Sequence, residues 1–444
     1  MEKSNTTLRR RLTTAAVVIL RIVIGATFIL SGWAKAIDPW GTVYKITEYL
    51  DVWDMDVPRA LVTSFTFLLS AWEFVWGALL LAGTYRRVSV IALLLCMAGM
   101  LPLSLYIAIA SPVADCGCFG DMLIVSNTGT FIKNVIITAA LIYLLAHNTR
   151  VRQLYTTHTQ WIVGGVLTFY ILLIALIGYN IQPLVDFRRF SPGTSLLTDE
   201  SEGEEGDDEA EAVYSFIYTR DGLTRSFTAD QLPDSTWTFV ERKLESGSEN
   251  IDDGLTVTVD GEDILPDILM PDGDTPLAEQ FIVTIPQPYD VDLSFTNLIN
   301  DLNDYIAERG GTLTAFIAGD SAAIDRWMDI SMASYDIYRV EPNLIKELAR
   351  GTSALVYLRE GTVVWKRTLS SIDPAETGRH AASRLDETLD PAPGKMLRYI
   401  NWSLAGLLLL IWLFDLLLPR EKATAPSPSG PSASPASSTE STDK

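Results

Sequence analysis

A membrane-embedded α-helical bundle carrying a separate α/β domain is the fold class predicted, and two patterns carry it. Apolar residues concentrate before about residue 180 and again near 400–418, whereas the acid of a chain with formal net charge −21 lies between them. From residue 213 onward the periodicity changes from long apolar runs to short strands alternating with helices. Positive mean hydropathy and strong acidity conflict within one globular domain, and separating them along the chain removes the conflict. With 34 Lys and Arg against 55 Asp and Glu, the composition argues against nucleic acid as a partner.

Residues 1–12 form a basic cytoplasmic N-terminus with Lys3, Arg9, Arg10 and Arg11. The run from Thr13 to Trp33 is too long for a signal peptide's apolar region and contains Arg21, so an uncleaved span is expected despite Ala34-Lys35-Ala36. Further spans are expected at Leu61–Gly83, Val88–Ala110, Phe131–Ala146 and Trp161–Tyr179, the fourth being short, and a last one from Ile400 to Leu418. Positive charge at 1–12, Arg86-Arg87, Arg150/Arg152 and Arg420/Lys422 orients the bundle with both termini cytoplasmic. Residues 181–399 are then periplasmic in a Gram-negative inner membrane, where disulfides persist. The organisation expected is a four-helix bundle over 13–146, a cytoplasmic loop and fifth span over 147–180, and an acidic linker over 181–212. A β-rich segment follows over 213–278, then an α/β unit over 279–375, a linker over 376–399, the last span over 400–418 and a disordered tail over 419–444.

Chemistry is most concentrated in Asp115-Cys116-Gly117-Cys118-Phe119-Gly120-Asp121, which holds two of the three cysteines and lies between two apolar runs. Cys116 and Cys118 form a redox pair, a static disulfide or packed turn, or two ligands of a metal whose remaining ligands the sequence does not supply, so no metal site is assigned. Asp115 and Asp121 oppose thiolate formation, and no neighbouring cation favours it. Cys96, inside the third span, is a small buried residue or a resolving thiol. Arg21 and Glu73 both fall roughly 10–15 Å above the inner face by helical rise, so they are expected to pair, either fixing the register of two helices or forming a polar site for a quinone head group or a proton relay. Lys35 pairs with Asp38 at the interface or faces the cysteine loop.

Residues 14–146 resemble the DoxX-like and MauE-like membrane families. The resemblance rests on Arg21 with Gly25, Ser31-Gly32-x-x-Lys35, Glu73 followed by Gly77 and Gly83, and the Cys-Gly-Cys-Phe-Gly loop, the last pointing to MauE. DoxX is linked to a quinone-reducing thiosulfate oxidoreductase and MauE to maturation of the disulfide-rich subunit of methylamine dehydrogenase. Residues 279–375 resemble a thioredoxin-like domain, yet the places where that family carries its cysteines and its cis-proline, Pro288–Leu293 and Gly351-Thr352-Ser353, hold neither. These resemblances imply an accessory in periplasmic thiol–disulfide or quinone-linked electron transfer, with quinone as the one cofactor suggested and the bilayer as its setting. The alternative is a non-catalytic binding or assembly protein whose thioredoxin-like domain docks a periplasmic client.

Overall fold

The computed structural model describes residues 2–147, 153–197, the strands within 213–246, and residues 255–373 and 389–418, apart from positions 112, 114, 256, 260–261, 274, 290 and 292–293. The Arg150/Arg152 loop, the acidic stretch from 198, most of the linker at 376–388 and the tail from 419 lie outside the described residues.

Among the described residues, six helices are long and apolar enough to cross a membrane. They are α1 (Glu2–Ile37, apolar from Arg10), α3 (Arg59–Ala82), α4 (Arg86–Ala110), α5 (Asn127–His147), α6 (Gln160–Asn180) and the last helix, α11 (Pro393–Leu417). The fourth span, expected to be short, reaches 21 residues because Asn127–Thr130 join it. Between α1 and α3 lies α2 (Pro39–Val52), which the sequence reading did not anticipate. Pro39 at its first position and an Asp38 side chain accepting from the Gly41 N–H at 2.9 Å start it. Its apolar residues are interrupted by Lys45, Glu48 and Asp51, so no hydropathy window marks it.

α1 and α3 pack closely because glycines remove the side chains between them. A Cβ placed on Gly32 would stand 2.5 Å from the Phe74 nitrogen, and one on Gly77 2.9 Å from the Ile29 nitrogen. α11 is fastened to α6 by polar groups: Tyr170 donates to Asn401 at 2.7 Å, and buried Asp415 accepts from the Thr156 backbone N–H and from the hydroxyls of Thr156 and Thr159.

Beyond α6 the described residues form three sheets. β1 (Val213–Arg220), β2 (Leu223–Thr228) and β3 (Thr238–Ser246) make one antiparallel sheet in the order β2-β1-β3, and β4 (Thr258–Val259) pairs with β5 (Glu262–Asp263) before a short α7 (Leu265–Leu269). The main sheet combines β6 (Gln280–Ile285), β7 (Thr312–Ile317), β8 (Asp336–Arg339), β9 (Ala354–Arg359) and β10 (Thr362–Thr368) in the order β10-β9-β6-β7-β8. β6, β7 and β8 are parallel, and β9 and β10 antiparallel to their neighbours. α8 (Ser294–Ala307), α9 (Ser321–Ser331) and α10 (Pro342–Leu348) connect them.

Alternation along the strands feeds two cores. Phe281, Val283 and Ile285 pack with Ile299, Leu302 and Trp327, whereas Ile282 and Phe316 pack with Leu265, Ile345 and Leu348 on the other face. Part of the stretch read as a linker belongs to this second layer. Phe190 and Leu196 are buried in it, and the Leu196 N–H reaches the Gly361 carbonyl at 2.9 Å.

Candidate functional site

The loop between α4 and α5 bends tightly at Gly117, whose φ of +66° lies in the left-handed region that glycine tolerates. The Asp115 carboxylate closes the bend by accepting the Gly117 N–H at 2.7 Å. Cys116 and Cys118 stand sulfur to sulfur with Cα atoms 5.5 Å apart, a separation a disulfide spans. Both are buried with Val113, Phe119 and Tyr49. The expectation that no cation adjoins the loop fails in space. Lys45 on α2 pairs with Asp115 at 3.2 Å and Glu48 at 2.8 Å. Burial pulls the Lys45 ammonium down, but Glu48 and Asp115 outweigh it and hold it above its ordinary value.

Beneath the loop lies a buried polar cluster. Lys35 Nζ donates to Glu73 at 2.7 Å, to Ser31 Oγ at 2.7 Å and to the Cys118 carbonyl at 2.6 Å, so its three protons are all engaged. The Ser31 hydroxyl sits between Glu73 Oε2 (2.8 Å) and the Cys118 oxygen (2.7 Å), and its one proton serves either. Lys35 and Glu73 are 3% and 2% exposed, which leaves water almost no share in compensating either charge. Helical geometry assembles this group. Ser31 and Lys35, four residues apart, share one face of α1, and the glycine-mediated contact brings α3 within reach.

Two expected pairings are therefore corrected. Arg21 does not meet Glu73: its Nε donates to the Leu80 carbonyl at 3.1 Å and an Nη to that of Leu81 at 3.2 Å, satisfying the carbonyls at the end of α3. Lys35 does not pair with Asp38, whose carboxylate instead receives Arg350 at 2.9 Å. Equal heights for Arg21 and Glu73 followed from counting one from Thr13 and the other from Gly83. Arg21 instead lies beside Leu80 and Leu81, about two turns past Glu73 on α3, and the Gly32–Phe74 contact brings Lys35 to Glu73.

Arg350, immediately after α10, was not singled out by the sequence, because nothing local marks it. Its guanidinium bridges Asp38 at the start of α2 and Asp121 just past the cysteine loop. Burial works against its charge, yet Asp38 and Asp121 hold it above its ordinary value. Gln182 fixes the Arg350 backbone at both N–H (3.0 Å) and carbonyl (2.8 Å), and Tyr44 of α2 touches the Gly351 backbone at 3.2 Å. The α/β domain is thereby clamped over the loop.

The two faces of α2 border two different cavities. Trp40, Tyr44, Thr47 and Asp51 face a cleft of about 600 Å³, closed on its far side by Pro286, Gln287 and Gly351 of the α/β domain. Thr42, Lys45, Ile46 and Tyr49 roof a second cavity of about 560 Å³, between α3 and α4. Its inner end is formed by Cys116, Cys118 and Lys35. Cys96 and Gly99 lie on its α4 wall, so all three cysteines face one space. Its rim is Phe65, Leu68 and Leu95, which are 54%, 68% and 66% exposed on the surface that meets lipid.

Comparison with known families agrees with the helical part. Residues 13–147 match the family described as Methylamine utilisation protein MauE, and residues 212–245 match a domain of unknown function, DUF8463. No curated protein matches the chain. The helical part is thus that of a MauE-like multi-pass membrane protein.

Proposed function

We propose that this chain is an accessory of thiol–disulfide-linked electron transfer in the inner membrane, with Cys116 and Cys118 as its redox pair and the thioredoxin-like domain on the periplasmic side. The observation that carries this reading is the Cys118 carbonyl held jointly by Lys35 and Ser31 over the buried Glu73. A loop serving only as a turn needs no buried ion pair under it, and such a pair is costly to place in a membrane. In the reduced state the Lys35 ammonium offsets thiolate charge at the loop, and Glu73 with Ser31 accepts and passes the proton released. Reduction adds two electrons and two protons to the sulfur pair and breaks one S–S bond; oxidation returns them to an acceptor.

The test is thiol trapping of the full-length protein in lipid discs across a series of glutathione or dithiothreitol ratios, in a Cys96→Ser background. A reversible two-electron transition of Cys116 and Cys118 is expected. A pair that remains fixed throughout, together with normal function of Cys116→Ser in cells, overturns the reading in favour of a structural turn.

A second reading has its own observation. The cleft between α2 and Pro286, Gln287 and Gly351 lies at the end of the main sheet where β6 finishes, with no cysteine on its walls. A non-catalytic domain docking a periplasmic client there would retain that client after both cysteines are replaced and lose it when 213–375 is deleted.

A further inference from the structure

We infer that the cavity where α11 meets the α/β domain binds the phosphodiester head group of an anionic phospholipid, held by Lys395 and Arg398. This site is separate from the cysteine loop and stands whether or not that loop is redox-active. Three parts of the chain enclose its volume of about 560 Å³: residues 181–183 just past α6, residues 364–366 of β10, and the start of α11 with the turn before it.

Its level in the bilayer follows from α11. Tyr399 and Trp402 are 75% and 76% exposed, and the apolar stretch they introduce is almost wholly uncovered by protein. An uncovered Tyr and Trp at the end of a span mark the level of lipid head groups. Lys395 and Arg398 lie at that level or one turn nearer water, and a spacing of three residues puts them on one side of the helix. Both are exposed, and among the described residues no carboxylate pairs with either. Two such cations side by side match a phosphate in charge and in donor geometry. Pro183, Pro192 and Val364 give the rest of the cavity an apolar wall for the glycerol and first acyl carbons.

Two acids share the cavity wall, and each has its own partners. Asp390 accepts the Ala392 N–H at 2.7 Å, and Asp186 accepts from Arg188 at 2.7 and 2.8 Å and from Lys366 at 2.9 Å. Arg188 and Lys366 thus share one carboxylate while being only 8% and 5% exposed, which leaves a buried positive charge in excess behind the wall. Burial first, and repulsion from Arg188 second, hold the Lys366 ammonium down to about 7, so an anion in the cavity supplies what this group lacks. A phospholipid is the source because Arg398 belongs both to the cavity and to a lipid-facing helix, so a bilayer phosphate reaches it without leaving the membrane.

The test uses the full-length protein in lipid discs of phosphatidylcholine with a minor fraction of phosphatidylglycerol. Lipid retained by the protein is read by native mass spectrometry, and a photoreactive phosphatidylglycerol maps the site. Wild-type protein should prefer phosphatidylglycerol by about twenty-fold or more. Lys395→Gln and Arg398→Gln should each lower that preference about five-fold, and together they should abolish it. Because both side chains are exposed, thermal unfolding of the variants should match the parent. Adducts should fall on 181–192, β10 or the start of α11. Equal retention of the two lipids by wild-type protein, or a double variant that keeps the preference, overturns the inference. Displacement of the lipid by millimolar inorganic phosphate also overturns it, and identifies a soluble phosphate as the occupant.

Discussion

Replacing Lys35 by Met leaves the Glu73 carboxylate buried at 2% exposure with Ser31 as its remaining partner, and withdraws a hydrogen bond from the Cys118 carbonyl. Breaking one side of a buried pair costs about 3–5 kcal/mol, most of it the penalty of the stranded charge. At about 1.4 kcal/mol per factor of ten, the cysteine loop should open at least a hundred-fold more often. The sign of the double replacement separates this account from simple loss of packing. Lys35→Met with Glu73→Leu removes both charges, and should recover most of the loss because a well-packed apolar pair is roughly equal to a buried ion pair. The coupling between the two sites is therefore expected to exceed about 2 kcal/mol, well outside additivity. The assay is alkylation of Cys116 and Cys118 in reduced protein, as a function of denaturant, which reports the free energy of local opening. Single variants within about 0.5 kcal/mol of the parent, or a double variant equal to the sum of the singles, would refute the buried pair as the support of the loop.

Arg350→Ala should release the α/β domain from the helices, seen as faster hydrogen exchange in 182–197 and in the cysteine loop together. Arg350→Lys should restore only part of the protection, since one ammonium does not reproduce the fork that reaches both Asp38 and Asp121. Arg21→Gln should lower stability by about 1–3 kcal/mol through the carbonyls at the end of α3, while leaving cysteine reactivity unchanged. Lys366, buried beside Arg188 and Asp186, is held down to about 7, burial being the main cause. The unfolded chain keeps that proton to about pH 10, so between about pH 7 and 10 the unfolded state binds more protons and stability rises with pH. Lys366→Met should flatten that slope in denaturant titrations; an unchanged slope would rule Lys366 out as its source.

Spans were legible because a bilayer imposes one pattern, about twenty apolar residues, that no other setting requires. The strands β6, β7 and β9 were legible for a related reason, since burial on both faces leaves short apolar runs. α2 was not, because its two faces meet different surroundings and its polar residues break the run. Trp40 on α2 stacks its indole on Tyr179 and donates to that residue's carbonyl, contacts that nothing in its neighbouring sequence marks. Glu73 and Lys35 stood out as charges in apolar surroundings, but their partnership depends on the register of α1 against α3, which the Gly32 and Gly77 contacts set. Arg350 carried no signal at all. Its partners Asp38 and Asp121 lie more than two hundred residues away in sequence, and an arginine after a short helix looks like any surface residue.

α2 is a wall one helix thick between two chambers, one bordered by the α/β domain and one open to lipid. A rigid body that borders both cannot move for one without moving for the other. An occupant of the cleft that displaced α2 would carry Lys45 and Ile46 with it, and one lodged beside Cys118 would act on the same helix from the other side. By linkage, whatever factor the first imposes on the affinity of the second is returned unchanged. The helix that joins two spans is thus also the lever through which events in water and events in lipid are weighed against each other.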